Sequence, residues 1–200
     1  MIEWVNNNLI EIIGAFLAFI YLILEIQKKW FFWIVGIISS AFYVYIFFYS
    51  GLYAEAVLNF YYILMSVYGL YCWKFSSKSS ENTLVICRID SKTSFLLFSL
   101  FFVFFGIISF VLYRFSDSQV PVFDSFIAVF SIIATWMAAK KFVECWYLWI
   151  FVNIIATGLY VFLQLYPTAI LFSIYSILSF VGLFEWLKSV KHNDSTYTRL

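Results

Sequence analysis

The stretch YAEAVLNFYYILMSVYGLYCW, residues 53–73, recurs later in the chain as YPTAILFSIYSILSFVGLFEW, residues 166–186. In each copy a tyrosine, a serine, a glycine and a tryptophan follow one another at intervals of four, three and four residues. These intervals place all four side chains on one face of an α-helix. The residues on that face are Tyr62, Ser66, Gly69 and Trp73 in the first copy, and Tyr175, Ser179, Gly182 and Trp186 in the second. The chain therefore contains an internal repeat of helical segments.

The repeat extends well beyond this one helix. The segments from Glu11 to Trp73 and from Asp124 to Trp186 share an acidic residue, a run of small residues, a pair of lysines, a Trp-x-x-Trp pattern and a closing aromatic run, in the same order. Both segments are strongly apolar. A duplication of this kind within a membrane is typical of transporters built from two pseudo-symmetric halves.

The composition indicates an integral membrane protein. Hydrophobic residues make up 64% of the chain and charged residues only 12%, with a mean hydropathy of +0.95, which is too little polar surface for a water-soluble protein of this size. A bilayer span needs about 20 apolar helical residues. The charge-poor runs predict seven spans, at about 8–27, 30–50, 53–74, 95–113, 120–139, 143–163 and 167–187. We therefore expect an all-α protein with seven transmembrane helices.

We expect one transmembrane domain over residues 1–200, organised around the repeat. Repeat one covers about 8–75, a linker helix covers 95–113, and repeat two covers about 120–188. Two three-helix units joined directly would be inverted relative to each other, whereas one extra helix restores the same orientation. The predicted architecture is therefore 3+1+3 with parallel repeats, as in SWEET-type carriers.

The positions of the basic residues predict the orientation in the membrane. Arg114 falls on one predicted side, and the other eleven lysines and arginines fall on the opposite side. Under the positive-inside rule, the N-terminus is expected outside and the C-terminus in the cytoplasm. The net charge of +1 argues against a nucleic-acid partner.

The strongest candidate for a ligand site is the Trp-x-x-Trp-x-x-x-Asn pattern of the sixth span. Its spacing places Trp146, Trp149 and Asn153 on one helix face, with Asn153 near mid-span. An unpaired amide at that depth costs on the order of 1 kcal/mol or more. Indoles stack on flat cationic rings, gaining about 0.5–2 kcal/mol, and an amide can bond a hydroxyl or carboxamide. The alternatives are interfacial tryptophans and an asparagine that only joins helices.

The first repeat is expected to contribute differently. Trp30 and Trp33 match the tryptophan pair, but Ile37 then occupies the position of Asn153, which predicts an asymmetric site. On the third helix, Asn59 continues the face that carries Tyr62, so both are candidates to meet the ligand from this repeat.

Other polar residues provide predictions about the gate of the transporter and about its energy source. Tyr175 is a further pore-facing candidate, although helix packing explains such a face equally well. Glu11 and Asp124, equivalent in the two repeats, are a possible outer gate or simply helix-capping groups. No acidic residue falls at mid-span, which favours facilitated diffusion without ion coupling. No histidine falls within a span and no Cys-His pattern occurs, so we expect no catalytic residue, metal or cofactor.

Several motifs together carry a family resemblance that covers nearly the whole chain. They are Tyr-Leu-Ile-Leu-Glu before a basic pair, Trp-Phe-Phe-Trp, Gly-Leu-Tyr-Ala-Glu before Asn-Phe-Tyr-Tyr, Phe-Asp-Ser, Ala-Thr-Trp, Lys-Lys and Trp-Tyr-Leu-Trp-Ile-Phe-Val-Asn. The chain resembles the Pnu family of vitamin transporters. The resemblance implies a SWEET-like fold, a homotrimer in the plasma (bacterial inner) membrane, and diffusion of an unphosphorylated vitamin that a cytoplasmic kinase then traps. It also implies that Trp146, Trp149 and Asn153 line the substrate site. Asn59 departs from the glutamine expected in many relatives.

The resemblance leaves the substrate open. Relatives of this fold carry nicotinamide riboside, thiamine, riboflavin or deoxynucleosides; nicotinamide riboside is the family default, and thiamine is the close alternative. A PQ-loop-type receptor and a membrane enzyme are remote alternatives. The Pro-Gln pairs that mark the former are missing, since Pro121 and Pro167 precede valine and threonine.

Overall fold

A computed structural model describes residues 9–49, 53–75, 86–116, 120–164 and 166–197 of the chain. Within these ranges it contains seven α-helices: α1 (Leu9–Ile26), α2 (Phe32–Tyr49), α3 (Tyr53–Phe75), α4 (Ser91–Phe115), α5 (Pro121–Ala139), α6 (Cys145–Phe162) and α7 (Tyr166–Tyr197). Six of them, α2 to α7, are long and apolar enough to cross a bilayer. In α1 the apolar stretch found is Phe16–Ile26, which is shorter than a span. The predicted all-α, multi-pass membrane protein is therefore confirmed.

The chain divides into two compact units, unit 1 (Met1–Leu84) and unit 2 (Val85–Leu200). In unit 1, α1 packs on α2, and α2 packs on α3. In unit 2, α4 packs on α5, α5 on α6, and α6 on α7. The most extensive helix pairs are α2 with α3 and α6 with α7, which come from corresponding parts of the sequence repeat.

The ends of α1 and α5 establish how the two repeats correspond. Lys28 and Lys141 follow these helices with left-handed φ angles of 59° and 64°. In each case the next residue donates its backbone N–H back across the last turn, from Lys29 to Leu24 O at 3.0 Å and from Phe142 to Met137 O at 2.9 Å. This is the Schellman pattern, for which glycine is the usual residue. The offset of 113 positions that takes Lys28 to Lys141 also takes Tyr53 to Tyr166.

The same offset pairs Trp33 with Trp146. Both indoles are fully buried, at 0% exposure. Each lies on a glycine of the following helix: a Cβ added at Gly69 would fall 2.4 Å from Trp33 ring carbons, and one added at Gly182 would fall 2.4 Å from Trp146 ring carbons. We call these two contacts the indole–glycine contacts. They hold α2 against α3 and α6 against α7, because small residues allow helices to approach closely.

This geometry corrects the predicted correspondence between the repeats. The match of Trp30 and Trp33 to Trp146 and Trp149 was wrong, because the counterpart of Trp146 is Trp33. Trp30 instead lies under the Lys74 ammonium, with Nζ 5.1 Å from the ring centroid. The error arose because Trp-x-x-Trp occurs in both repeats but three residues out of phase.

The corrected register also changes the counterparts of the other site residues. Gly36, not Trp33, corresponds to Trp149, and Ser40, not Ile37, corresponds to Asn153. The predicted asymmetry therefore remains, but its chemistry differs. A glycine and a serine occupy the positions that hold an indole and an amide in unit 2.

Residues 86–90, which we call the strap, connect the start of α4 to the α5–α6 link. The Cys87 N–H donates to Lys141 O at 3.1 Å, and the Val143 N–H donates to Cys87 O at 3.0 Å, forming a parallel β-bridge. The Ile89 N–H donates to Glu144 Oε2 at 3.0 Å. These residues lie between the predicted spans 53–74 and 95–113, yet their backbone groups are bonded within unit 2.

The helix that follows the strap is capped at its start and apolar along its length. Asp90 accepts hydrogen bonds from the Thr93 N–H at 3.0 Å and the Thr93 hydroxyl at 2.6 Å, which satisfies a free helix N–H. No side chain of α4, which the structure describes throughout, is buried. Its exposed phenylalanines suit a helix that faces lipid or another subunit.

Candidate functional site

Asn153 lies in the middle of α6 and is held against α7. Its side chain is 6% exposed, and its Nδ2 donates to Ser179 Oγ at 3.1 Å. The Ser179 hydroxyl in turn donates to the backbone carbonyl of Tyr175 at 2.7 Å. Asn153 thus has the intramembrane partner that burial of an amide requires, and this chain of bonds fixes its orientation.

Trp149 lies one turn before Asn153 and differs from it in having no partner. The side chain is partly exposed, but its Nε1 is buried, and no acceptor for the N–H is found among the described residues. The indole also forms no ring pair with another described aromatic side chain. A buried donor without an acceptor costs about 1–3 kcal/mol, and native structures contain few of them. A ligand acceptor placed here would remove that cost.

Trp146 shares the face of Trp149, and its Nε1 is likewise buried without an acceptor among the described residues, but the packing around its ring differs. Its indole has no exposed surface, lies on Gly182, and meets the ring of Trp186 edge-on with centroids 5.6 Å apart. In this structure it therefore packs α6 on α7 and holds the start of α6 in place. Its expected contact with substrate stays a prediction.

Tyr175 and Asp124 lie toward the other end of unit 2. The Tyr175 ring is 5.8 Å from that of Phe172, and the Phe172 ring is 5.1 Å from that of Tyr160. Asp124 lies in the first turn of α5. The gating role of Asp124 and the pore-facing role of Tyr175 stay predictions.

The candidates of unit 1 are less completely described. Asn59 and Tyr62 lie one turn apart on α3, both partly buried, and the Tyr62 ring is 5.8 Å from that of Tyr61. Glu11 belongs to α1, but its side chain lies outside the described part of the chain. Roles of these residues in binding or gating stay predictions.

Sequence reasoning missed the importance of Ser179. The sequence places this serine on the repeated helix face and assigns it no part in the site, whereas it is the partner of Asn153. The signal was present, because Ser66 and Ser179 recur at equivalent positions in the two repeats. The pairing itself needs the contact between α6 and α7, which the pattern does not show.

Comparisons with known proteins agree with this architecture. The family described as nicotinamide mononucleotide transporter matches residues 8–188. Two curated relatives, both named nicotinamide riboside transporter PnuC, come from Escherichia coli (strain K12) and Shigella flexneri. Each is 22% identical over 210 residues, which cover 93% of this chain and 88% of the relative.

A solved structure gives the same result for the fold. The crystal structure of the vitamin B3 transporter PnuC matches with a TM-score of 0.75 at 21% identity, over 95% of this chain and 85% of that one. The resemblance to the Pnu family is confirmed, because the family match extends over both units. The chain belongs to the nicotinamide mononucleotide transporter family.

Proposed function

We propose that this chain carries nicotinamide riboside across the membrane and that Trp149 and Asn153 bind it. The observation that carries the proposal is the buried Trp149 N–H without an acceptor, one turn from a fixed amide. Nicotinamide riboside has a flat cationic ring, which suits stacking on an indole. The names of the two relatives support the same substrate.

The amide of Asn153 supplies a complementary group for the nicotinamide ring. Its Nδ2 is already committed to Ser179, and its side chain has no other hydrogen bond among the described residues. The carbonyl Oδ1 is therefore available as an acceptor. A carboxamide N–H on the substrate ring is the natural donor to it.

The charges favour the riboside over the mononucleotide that appears in the family description. The sequence contains no lysine, arginine or histidine between Lys29 and Lys74, and none between Lys141 and Lys188. These stretches include α2, α6, all of α3 except its last two residues, and nearly all of the membrane-spanning part of α7. A phosphate group binds best where arginine or lysine can pair with it. A phosphorylated substrate would lack such a partner at this depth.

The wider transport cycle is part of the proposal. No acidic residue lies at mid-span, which supports facilitated diffusion, so accumulation requires a cytoplasmic kinase that phosphorylates the riboside and traps it. The distribution of basic residues supports an outside N-terminus and a cytoplasmic C-terminus. The repeated packing order, in which α2 and α6 each contact both neighbouring helices, supports a SWEET-like 3+1+3 arrangement. The exposed apolar surface of α4 fits assembly as a homotrimer.

Calorimetric titration of the purified protein tests the substrate. We expect nicotinamide riboside to bind, nicotinamide mononucleotide to bind far more weakly, and thiamine to bind less tightly than the riboside. Tighter binding of the mononucleotide would contradict the charge argument. Tighter binding of thiamine would assign the chain to the alternative vitamin.

A further inference from the structure

An open groove lies on the surface of unit 2, where the strap meets the start of α4. It has a volume of about 450 Å³ and is lined by Ile89 of the strap and by Ser91, Ser94, Phe95 and Phe98 of α4. The spacing of the four helix residues places them on one face of α4. Hydroxyl groups therefore line the end of the groove near the strap, and aromatic rings line the part that runs along the helix.

The length of α4 indicates which part of a bilayer the groove meets. The helix has 25 residues, which corresponds to about 37 Å, whereas the hydrocarbon core is about 30 Å thick. Its first turn is therefore expected at the level of the lipid headgroups, with Phe95 and Phe98 deeper. Because no side chain of α4 is buried, the groove is open to lipid from headgroup level into the hydrocarbon.

The charges around the groove are mainly positive. The strap, the first turn of α4 and the α5–α6 link carry four basic and two acidic side chains, namely Arg88, Lys92, Lys140 and Lys141 against Asp90 and Glu144. Both acids already accept hydrogen bonds from backbone N–H groups. Arg88 and Lys92, by contrast, are exposed and form no ion pair with any described residue. Their positive charge is available to an anionic group.

The strap holds Arg88 at a fixed place beside the groove. The N–H groups of Cys87 and Ile89, on either side of it, are both bonded to the α5–α6 link. A side chain on a backbone that is already ordered loses less conformational freedom when it binds a ligand. The guanidinium of an arginine also forms paired hydrogen bonds with phosphate oxygens. Arg88 is therefore well suited to hold a phosphate group.

We propose that this groove binds an anionic phospholipid, whose phosphate contacts Arg88 and Lys92 and whose acyl chains lie along Phe95 and Phe98. The serine hydroxyls that line the groove can donate hydrogen bonds to headgroup or ester oxygens. Basic side chains at a membrane surface favour anionic lipids. A phospholipid uses both the basic and the apolar part of the groove, whereas a free phosphate would use only the basic part.

Native mass spectrometry of the detergent-purified full chain tests the proposal. Phosphatidylglycerol should bind more tightly than phosphatidylcholine with the same acyl chains, whose headgroup has no net charge. The double variant Arg88→Gln and Lys92→Gln should weaken phosphatidylglycerol binding about 10- to 30-fold, since each basic residue contributes about fivefold. The same variant should leave phosphatidylcholine binding unchanged. Phe98→Ala, which reduces the apolar wall, should weaken binding of both lipids.

The chain offers a matched control on the same helix. Arg114 is also exposed, but it lies in the last turn of α4, at the opposite end from the groove. Arg114→Gln removes the same charge and should leave phosphatidylglycerol binding unchanged. Inorganic phosphate is the second probe. It should not displace the lipid, because it cannot occupy the apolar part of the groove.

Each opposite result would overturn the site. Unchanged phosphatidylglycerol affinity in the folded double variant would do so, and so would an equal loss in Arg114→Gln, because overall charge rather than position would then decide binding. Displacement by inorganic phosphate would show a site for a free anion. A change of oligomeric mass in the double variant, with lipid affinity unaltered, would show a contact between copies of the chain. Should the double variant not fold, the two single variants, each expected to weaken binding about fivefold, replace it.

Discussion

The indole–glycine contact of unit 2 leads to the sharpest stability prediction. A methyl group added at residue 182 would lie 2.4 Å from the Trp146 ring carbons, whereas nonbonded carbon atoms normally rest about 3.5–4.0 Å apart. The ring or α7 must therefore move by roughly 1 Å or more. Overpacking of this kind costs about 1–3 kcal/mol. Alanine regains about 0.5–1 kcal/mol through its better helix propensity, so Gly182→Ala should destabilise the protein by about 0.5–2 kcal/mol.

Thermal unfolding of the detergent-purified protein measures this effect. Gly158→Ala is the control, because Gly158 lies in α6 and a Cβ there meets nothing within 4 Å. It should be neutral or stabilising, while Gly69→Ala should destabilise as Gly182→Ala does, because Trp33 lies at the same 2.4 Å distance. Replacing Trp146 by the smaller phenylalanine should partly rescue Gly182→Ala. The reasoning is refuted if Gly182→Ala melts at or above the temperature of Gly158→Ala.

Four further predictions concern transport. Trp149→Ala should weaken riboside binding by about 1–3 kcal/mol, and Trp149→Phe should weaken it by less. Tyr147→Ala, at an exposed position on α6, should leave riboside binding unchanged. Equal calorimetric affinities of these three variants for the riboside would exclude stacking on Trp149. Asn153→Leu should weaken riboside binding by on the order of 1–3 kcal/mol, with little change in melting temperature. A lower melting temperature with unchanged riboside affinity would show that the amide has only a structural role. Protein in kinase-free liposomes should equilibrate riboside without an ion gradient, and concentrative uptake abolished by a protonophore would contradict uncoupled diffusion. A reporter fused after Leu200 should be cytoplasmic, and a reporter inserted near Asp117 should be external. A cysteine-accessibility assay that gives the opposite pattern would contradict the predicted topology.

The helices were predictable because the bilayer imposes a simple physical requirement. A charge-poor run must satisfy its backbone hydrogen bonds internally, so each predicted span corresponds to a helix, with ends that mostly agree within a few residues. The helix α7 is the exception, since it continues to Tyr197, ten residues beyond the predicted span at 187. No glycine or proline follows Gly182 to end it. Hydropathy locates the membrane boundary but does not determine where a helix stops.

The candidate site was only partly predictable, because its key relations are contacts between helices. Spacing placed Trp149 and Asn153 on one face, but it could not distinguish the fully buried Trp146, which packs on Gly182, from the partly exposed Trp149. The phase of the repeat was also ambiguous, since Trp-x-x-Trp fits at two registers. The matching ends of α1 and α5, together with packing against glycine, identify Trp33 as the counterpart of Trp146.

The strap has a consequence for the order in which unit 2 assembles during synthesis. Its contact between Cys87 and Lys141 joins residues 54 positions apart, so it cannot form until the ribosome has produced α4, α5 and the link after them. Closing such a long loop carries an entropic cost that only preformed neighbours offset. We therefore expect α4 and α5 to insert as a hairpin first. The bridge then closes as a late step, and protection of the Cys87 thiol would mark the moment at which this end of unit 2 is complete.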